Sequence, residues 1–193
     1  MSVSTFTIQH NYNYYIRNAY TRNRNAIKAD YRGTQPNPTI MSADADAVRR
    51  MVEKLRTLEY DSDHGVDVLQ NTKAFVESYN NLLDSTDASD SSSIAALQKQ
   101  LNRLTKNERD ELASIGIEIK SNGKLSLDEK VFSESRPAKI GRILSAEGTF
   151  SSSVRSIAKK IYRTSNRLPI YTAQAVQTEQ AVQNSGKIID LSL

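Results

Sequence analysis

The sequence predicts a mainly α fold, built from packed amphipathic helices and one small β-hairpin at about 117–127. Apolar residues recur at threes and fours over residues 43 to 59, 66 to 83, 94 to 115 and 138 to 164, the period of a helix with one buried face. Around Asn122-Gly123 the period changes to two, the pattern of two short strands joined by a tight turn. The chain has no Trp and only four Phe among 193 residues. Leu, Ile, Val and Tyr must therefore fill the interior, which suits helix seams better than a thick sandwich.

Taken in order, residues 1 to 41 read as a Tyr- and Arg-rich arm and linker. Tyr12, Ile16, Tyr20, Ile27 and Tyr31 are mostly four apart with arginines between them, and the two prolines in residues 34 to 38 end any helix there. The helical domain is placed at 42 to 168. Ser42 is the expected cap of its first helix, with Asp44 and Asp46 in the first turn and a seam of Val48, Met51, Val52, Leu55 and Leu58.

The second helix carries Leu69, Thr72, Phe75, Val76, Tyr79, Leu82 and Leu83 on one face, and residues 84 to 93, almost wholly Ser, Asp and Thr, read as a mobile loop. Ile94, Leu97, Leu101 and Leu104 mark the next helix. Thr105 and Glu108 have the spacing of a capping box that starts a short helix ending at Gly116. In the hairpin, Ile117, Ile119, Leu125 and Leu127 point one way, with positive φ angles expected at Asn122-Gly123. Asp128 caps a short turn, Pro137 opens a further helix, and Phe150, Val154, Ile157, Ala158, Ile161 and Tyr162 define the last one. Residues 169 to 193 read as a Gln-rich tail, whose final residues, 188 to 193, alternate weakly.

Composition narrows the function. No apolar stretch approaches the roughly 20 residues that span a bilayer, and residues 1 to 7 lack the charged and apolar regions of a cleavable signal. Zero cysteine removes disulfides, thiol nucleophiles and thiolate metal sites. The net charge of +4 sits entirely in residues 1 to 32, where Arg17, Arg22, Arg24, Lys28 and Arg32 face Asp30 alone. The basicity belongs to one arm, not to a broad nucleic-acid-binding face.

Two segments then read together. The helix Phe75-Val76-Glu77-Ser78-Tyr79-Asn80-Asn81-Leu82 and the hairpin Ile115-Gly116-Ile117 to Asn122-Gly123-Lys124-Leu125-Ser126-Leu127-Asp128-Glu129 resemble the C-terminal region of the bacterial flagellar filament cap family, hook-associated protein 2. The order agrees too, with Pro137 and then Ile143-Leu144-Ser145 and Gly148 following, over about residues 66 to 164. The resemblance implies a shortened relative: a non-enzymatic structural or adhesive module, with protein partners, self-association into a homo-oligomer, or flagellar components as its contacts. It implies a location outside the cell, on the flagellum; otherwise the chain is expected in the cytoplasm. The family's long terminal heptads and inserted head domains have no counterpart here.

Residues bearing other chemistry give weaker patterns. Residues 118 to 129 fit half of a calcium-binding loop, with Gly123 sixth and Glu129 twelfth, but Lys120 occupies a ligand position. Asp61, Asp63 and Asp67 near His64 offer metal or acid–base groups, yet suit a turn and a helix start equally. Ser185-Gly186-Lys187 lacks the first glycine of a phosphate loop, at Ala181, and its magnesium-holding hydroxyl, at Ile188. Tyr12, Tyr14, Tyr15 and Tyr20 among arginines suit stacking on single-stranded nucleic acid, and suit a protein interface better. No catalytic, cofactor or metal residue is assigned.

Overall fold

The computed structural model describes residues 14–170, and the fold is mainly helical with one two-stranded antiparallel sheet. A helical turn at 14–19 and a short 3-10 turn, Arg24–Ile27, precede α1 (Ala29–Thr34), α2 (Asn37–Arg56), α3 (Gly65–Asp87), α4 (Ser92–Asn107) and α5 (Arg109–Ala113). The hairpin β1 (Ile117–Ile119) and β2 (Leu125–Leu127) follows, then α6 (Glu129–Glu134), α7 (Pro137–Leu144) and α8 (Thr149–Ser165).

Helix α2 lies at the centre, packed on α3 and on α8, while α4 packs on α8 and α3. Its sequence explains the position. Besides Val48, Met51, Val52 and Leu55, the small side chains of Ala45 and Ala47 are fully buried, so neighbours approach closely around most of its circumference. The Phe75 ring of α3 meets Phe150 of α8 edge to face, 6.1 Å between centroids, a geometry that adds to plain area burial.

Helix α2 starts at Asn37, with Pro38 in its first turn, so the prolines open a helix there, as their fixed φ and missing N–H allow. Ser42 caps nothing and donates to Asn166 Oδ1 at 2.9 Å. The boundary expected at residue 41 thus falls inside a helix. The arm is broken by the polar stretch Thr21-Arg22-Asn23 and is not one helix; Ile16, Ala19, Tyr20 and Ala26 join the same core as α2 and α3.

The loop expected at 84 to 93 is mostly helix. The hydroxyls of Ser85 and Thr86 donate to the Leu82 carbonyl, Asp84 meets Lys124 at 2.7 Å, and Ser91 caps α4 by accepting from the Ile94 N–H. Thr105 is not a cap either: it is buried inside α4 and donates to the Leu101 and Asn102 carbonyls.

The hairpin pairs Ile117 with Leu127 and Ile119 with Leu125. Its turn is closed by Gly123 N–H donating to the Lys120 carbonyl, and Gly123 alone takes a positive φ, +81°. That is the longer form, in which only the last turn residue enters the left-handed region; Asn122 instead accepts from the Lys124 N–H. Gly116 takes φ +79°, and a Cβ there would meet the Asp128 carbonyl oxygen at 2.8 Å. The part of the tail beyond residue 170 lies outside the described residues.

Candidate functional site

The arm is held by an ion pair between a partly exposed arginine and a buried carboxylate. Arg32 of α1 donates to both carboxylate oxygens of Asp44 at 2.8 and 2.9 Å, and the Tyr20 hydroxyl donates to the same carboxylate at 2.7 Å. Asn81 of α3 donates to Tyr20 in turn. With Asp44 fully buried, its side-chain partners among the described residues, Tyr20 and Arg32, both come from the arm, and bidentate geometry offsets the desolvation of the pair. Donating hydrogen bonds to Asp44 raises the Arg32 pKa further. Tyr20 is inside this knot and has no face left for a base to stack on.

What remains outside is a Tyr and Arg surface. The Tyr15 hydroxyl donates to Asp67 at 2.7 Å, and burial, helped by Asp67, pushes it up to about 12. Tyr14 stands edge-on to Tyr15, 5.4 Å between centroids, and is 63% exposed. Together with Asn18 and the α2 residues Arg49, Arg50 and Lys54 these rings line a groove of about 660 Å³.

The groove itself carries Arg49, Arg50 and Lys54 against Glu53 and Asp67, and its arginines belong to a wider ion-pair cluster. Asp46 takes Arg49 at 2.6 Å, Arg50 at 2.8 Å and Arg22 at 3.6 Å. Glu53 is shared by Arg56 and Arg155. Burial alone would raise the Asp46 carboxyl, but hydrogen bonds from Arg50 and Arg49 hold it below the ordinary carboxylate range. Five arginines on two carboxylates leave spare N–H donors, since each guanidinium has five. Among the described residues, no ion pair engages Arg17 or Lys54.

A second groove, of about 420 Å³, lies where the α2–α3 turn meets α6 and α7, with Tyr60, Val68, Phe132, Pro137 and Ile140 as its apolar walls. Asp61, Glu134 and Arg136 stand among its lining residues. Glu59 and Asp63 are exposed on the same turn. Close in sequence to the walls, Val66 and Val131 are 71% and 40% exposed.

The turn gathers Glu59, Asp61 and His64, all exposed. Asp61 Oδ1 accepts from the Asp63 and His64 N–H groups and meets the His64 ring at 2.7 Å, the work of a turn-capping aspartate. That hydrogen bond and the Asp61 charge raise the His64 pKa. Asp67 is turned away to Tyr15 and Asn71. Of the calcium-loop pattern, Glu118 sits opposite Ser126 in the hairpin and Glu129 pairs with Lys73 at 2.7 Å. His10, Tyr12 and Ser185 to Lys187 lie outside the described residues.

Buried hydroxyls donate to carbonyls of nearby helical turns: Thr72 to Val68, Ser78 to Ala74, Ser151 to Leu144. Among the described residues none of them stands beside a histidine, so the polar interior holds helices in place. Sequence reasoning passed over Arg49, Arg50 and Lys54. The signal was the run Arg49-Arg50-Met51-Val52-Glu53-Lys54, in which the charges flank the buried stripe. Among the described residues no helix is long and apolar enough to cross a membrane. No protein-family model matches the chain, and comparison with curated proteins and with solved structures gave no match.

Proposed function

We propose that this chain is a non-enzymatic assembly module, similar to the C-terminal region of the flagellar filament cap family, that works by binding protein through its Tyr and Arg face. The kinship rests on the resemblance of two segments, and the reading as a module rests on a contact between them. The two segments that carry the resemblance hold one another: Asn80 bonds both backbone groups of Leu125, and Asp84 pairs with Lys124. Motifs 45 residues apart in sequence thus pack as one unit of the fold. Exposed Tyr14 beside spare arginine donors is the composition of an interface anchor, because both residue types give up water for large contact energy.

A photo-cross-linking benzoylphenylalanine in place of Tyr14, irradiated in the native cell, tests the reading. A protein adduct that survives nuclease supports it, and recovery of the chain on the cell surface or in the medium supports the flagellar kinship. A nuclease-sensitive adduct overturns it in favour of the second reading, a single-strand binder. The arginine excess is what favours that alternative, and affinity for a labelled single strand that collapses with salt is its signature. Burial of Tyr20 counts against it, since it removes one stacking ring.

A further inference from the structure

We propose that Asn122 is a site of spontaneous deamidation, and that the folded hairpin holds the reaction back until its turn opens.

Asn122-Gly123 is the only place in the chain where Gly follows Asn or Asp. The chemistry needs that neighbour, because a residue with no Cβ leaves its backbone nitrogen unhindered toward the preceding side chain. In the reaction the Gly123 nitrogen attacks Asn122 Cγ as its proton is lost. The new N–Cγ bond closes a five-membered imide, and the side-chain nitrogen takes up a proton and leaves as ammonia. Water then opens the imide. Breaking the N–Cγ bond leaves aspartate, whereas breaking the bond to the main-chain carbonyl carbon leaves isoaspartate, with the chain rerouted through Cβ and Cγ. One water enters and one ammonia departs, with no change of oxidation state.

The two reacting groups are held differently. Asn122 is exposed, and its Oδ1 accepts from the Lys124 N–H at 3.1 Å, so a donor already stands at the oxygen where negative charge develops. The nucleophile is tied. Gly123 N–H donates to the Lys120 carbonyl at 2.9 Å, and the residue is buried against the Asn102 side chain of α4. Its proton can leave only when that turn bond breaks. The turn is held in place by the pairing of Ile119 with Leu125 and by the grip of Asn80 on Leu125, so local opening of the hairpin sets the rate.

The product does not fit the site it forms in. Isoaspartate adds one methylene to the backbone inside the turn that sets Ile119 against Leu125. Either product adds a negative charge close to Lys124, the residue that pairs with Asp84 at 2.7 Å. The hold of α3 on the hairpin therefore weakens as the chain ages.

Mass spectrometry of the peptide containing Asn122, after incubation of the full chain in mildly alkaline buffer made with heavy-oxygen water, tests this. Conversion in the native chain is expected to be at least about tenfold slower than in urea, the factor given by about 1.4 kcal/mol of hairpin opening, with isoaspartate among the products. Asn80→Ala in native buffer should close most of that gap. If that variant does not fold, the wild type over a urea series takes its place, and the rate at Asn122 should rise in step with amide exchange at Gly123. An unfolded chain that does not convert at Asn122 would overturn the assignment of the site. A native rate equal to the unfolded one, a folded Asn80→Ala variant no faster than the wild type, or a rate that ignores amide exchange at Gly123 would overturn the gating by the turn.

Discussion

Asn80 on α3 holds Leu125 of β2 by both of its backbone groups: the side-chain amide donates to the carbonyl at 2.9 Å, and its oxygen accepts the N–H at 2.8 Å. One side chain does here what a third strand would do, satisfying the outer edge of a two-stranded sheet that is only marginally stable by itself.

Removing that clamp with Asn80→Ala leaves a buried N–H and C=O without partners. The expected loss is about 2–4 kcal/mol in urea denaturation with an unchanged slope, from the desolvation of two orphaned groups. Amide exchange at Leu125 should speed up more than exchange in α2. A loss no larger than that of an ordinary surface substitution would mean the hairpin stands without α3.

The Arg32–Asp44 pair predicts a sharper asymmetry. Asp44→Ala leaves the partly buried Arg32 guanidinium without its carboxylate and should cost less than the roughly 3–5 kcal/mol of a fully buried pair, whereas Tyr20→Phe loses one hydrogen bond to a charged group, about 1.5–3 kcal/mol. Because both act on one carboxylate, the double variant should cost clearly less than the sum. Additive losses would show that the Tyr20 hydroxyl does not act through Asp44.

At Gly116 the backbone is left-handed and the space for a side chain is already filled by the Asp128 carbonyl. Gly116→Ala should therefore cost more than Gly123→Ala, where the neighbour is the movable Asn102 side chain and the strain is about 1–2 kcal/mol. Equal melting temperatures for the two variants would contradict this ordering.

His64 should titrate above 6.5 in the folded chain, because Asp61 stabilises its charged form. A raised folded pKa means the pair contributes stability below the unfolded value and loses it as pH rises through the folded one. In Asp61→Asn the NMR midpoint of His64 should drop toward 6.5, and no movement would show that Asp61 serves the turn alone. Asp46 has the opposite sign. Its depressed pKa contributes stability above the unfolded value, lost as pH falls through the folded one. The advantage of the wild type over Asp46→Asn should thus be full above the ordinary aspartate range and fade as pH falls below it; an advantage that persists at the acid end would show that the arginines do not set it.

Much of this fold was legible because burial imposes a period. Val48, Met51, Val52 and Leu55 lie on the buried side of α2, and Ile117, Ile119, Leu125 and Leu127 pair in the register their alternation implies. The misreadings share one cause. Ser, Thr and Asp serve equally as caps, as loop residues and as helix residues that bond back to their own turn. Thr105, Ser85 and Thr86 took the last role because packing left no water for them. Asp84 is helical beside Lys124, 40 positions away, a partner no local window contains.

What the sequence determined by itself was the class of the molecule: helices with one apolar stripe, a two-residue alternation around a glycine turn, no thiol and no long apolar span. These follow from the rule that apolar side chains must face one way, which acts over neighbouring residues. The tertiary structure alone decided that the basic arm is bolted to the core through Asp44, that Asn80 clamps Leu125, and that the arginines of α2 lie beside Tyr14. Each of those depends on two or more segments far apart in the chain meeting at hydrogen-bond distance, and such meetings are set by how the helices pack, not by any period along one of them.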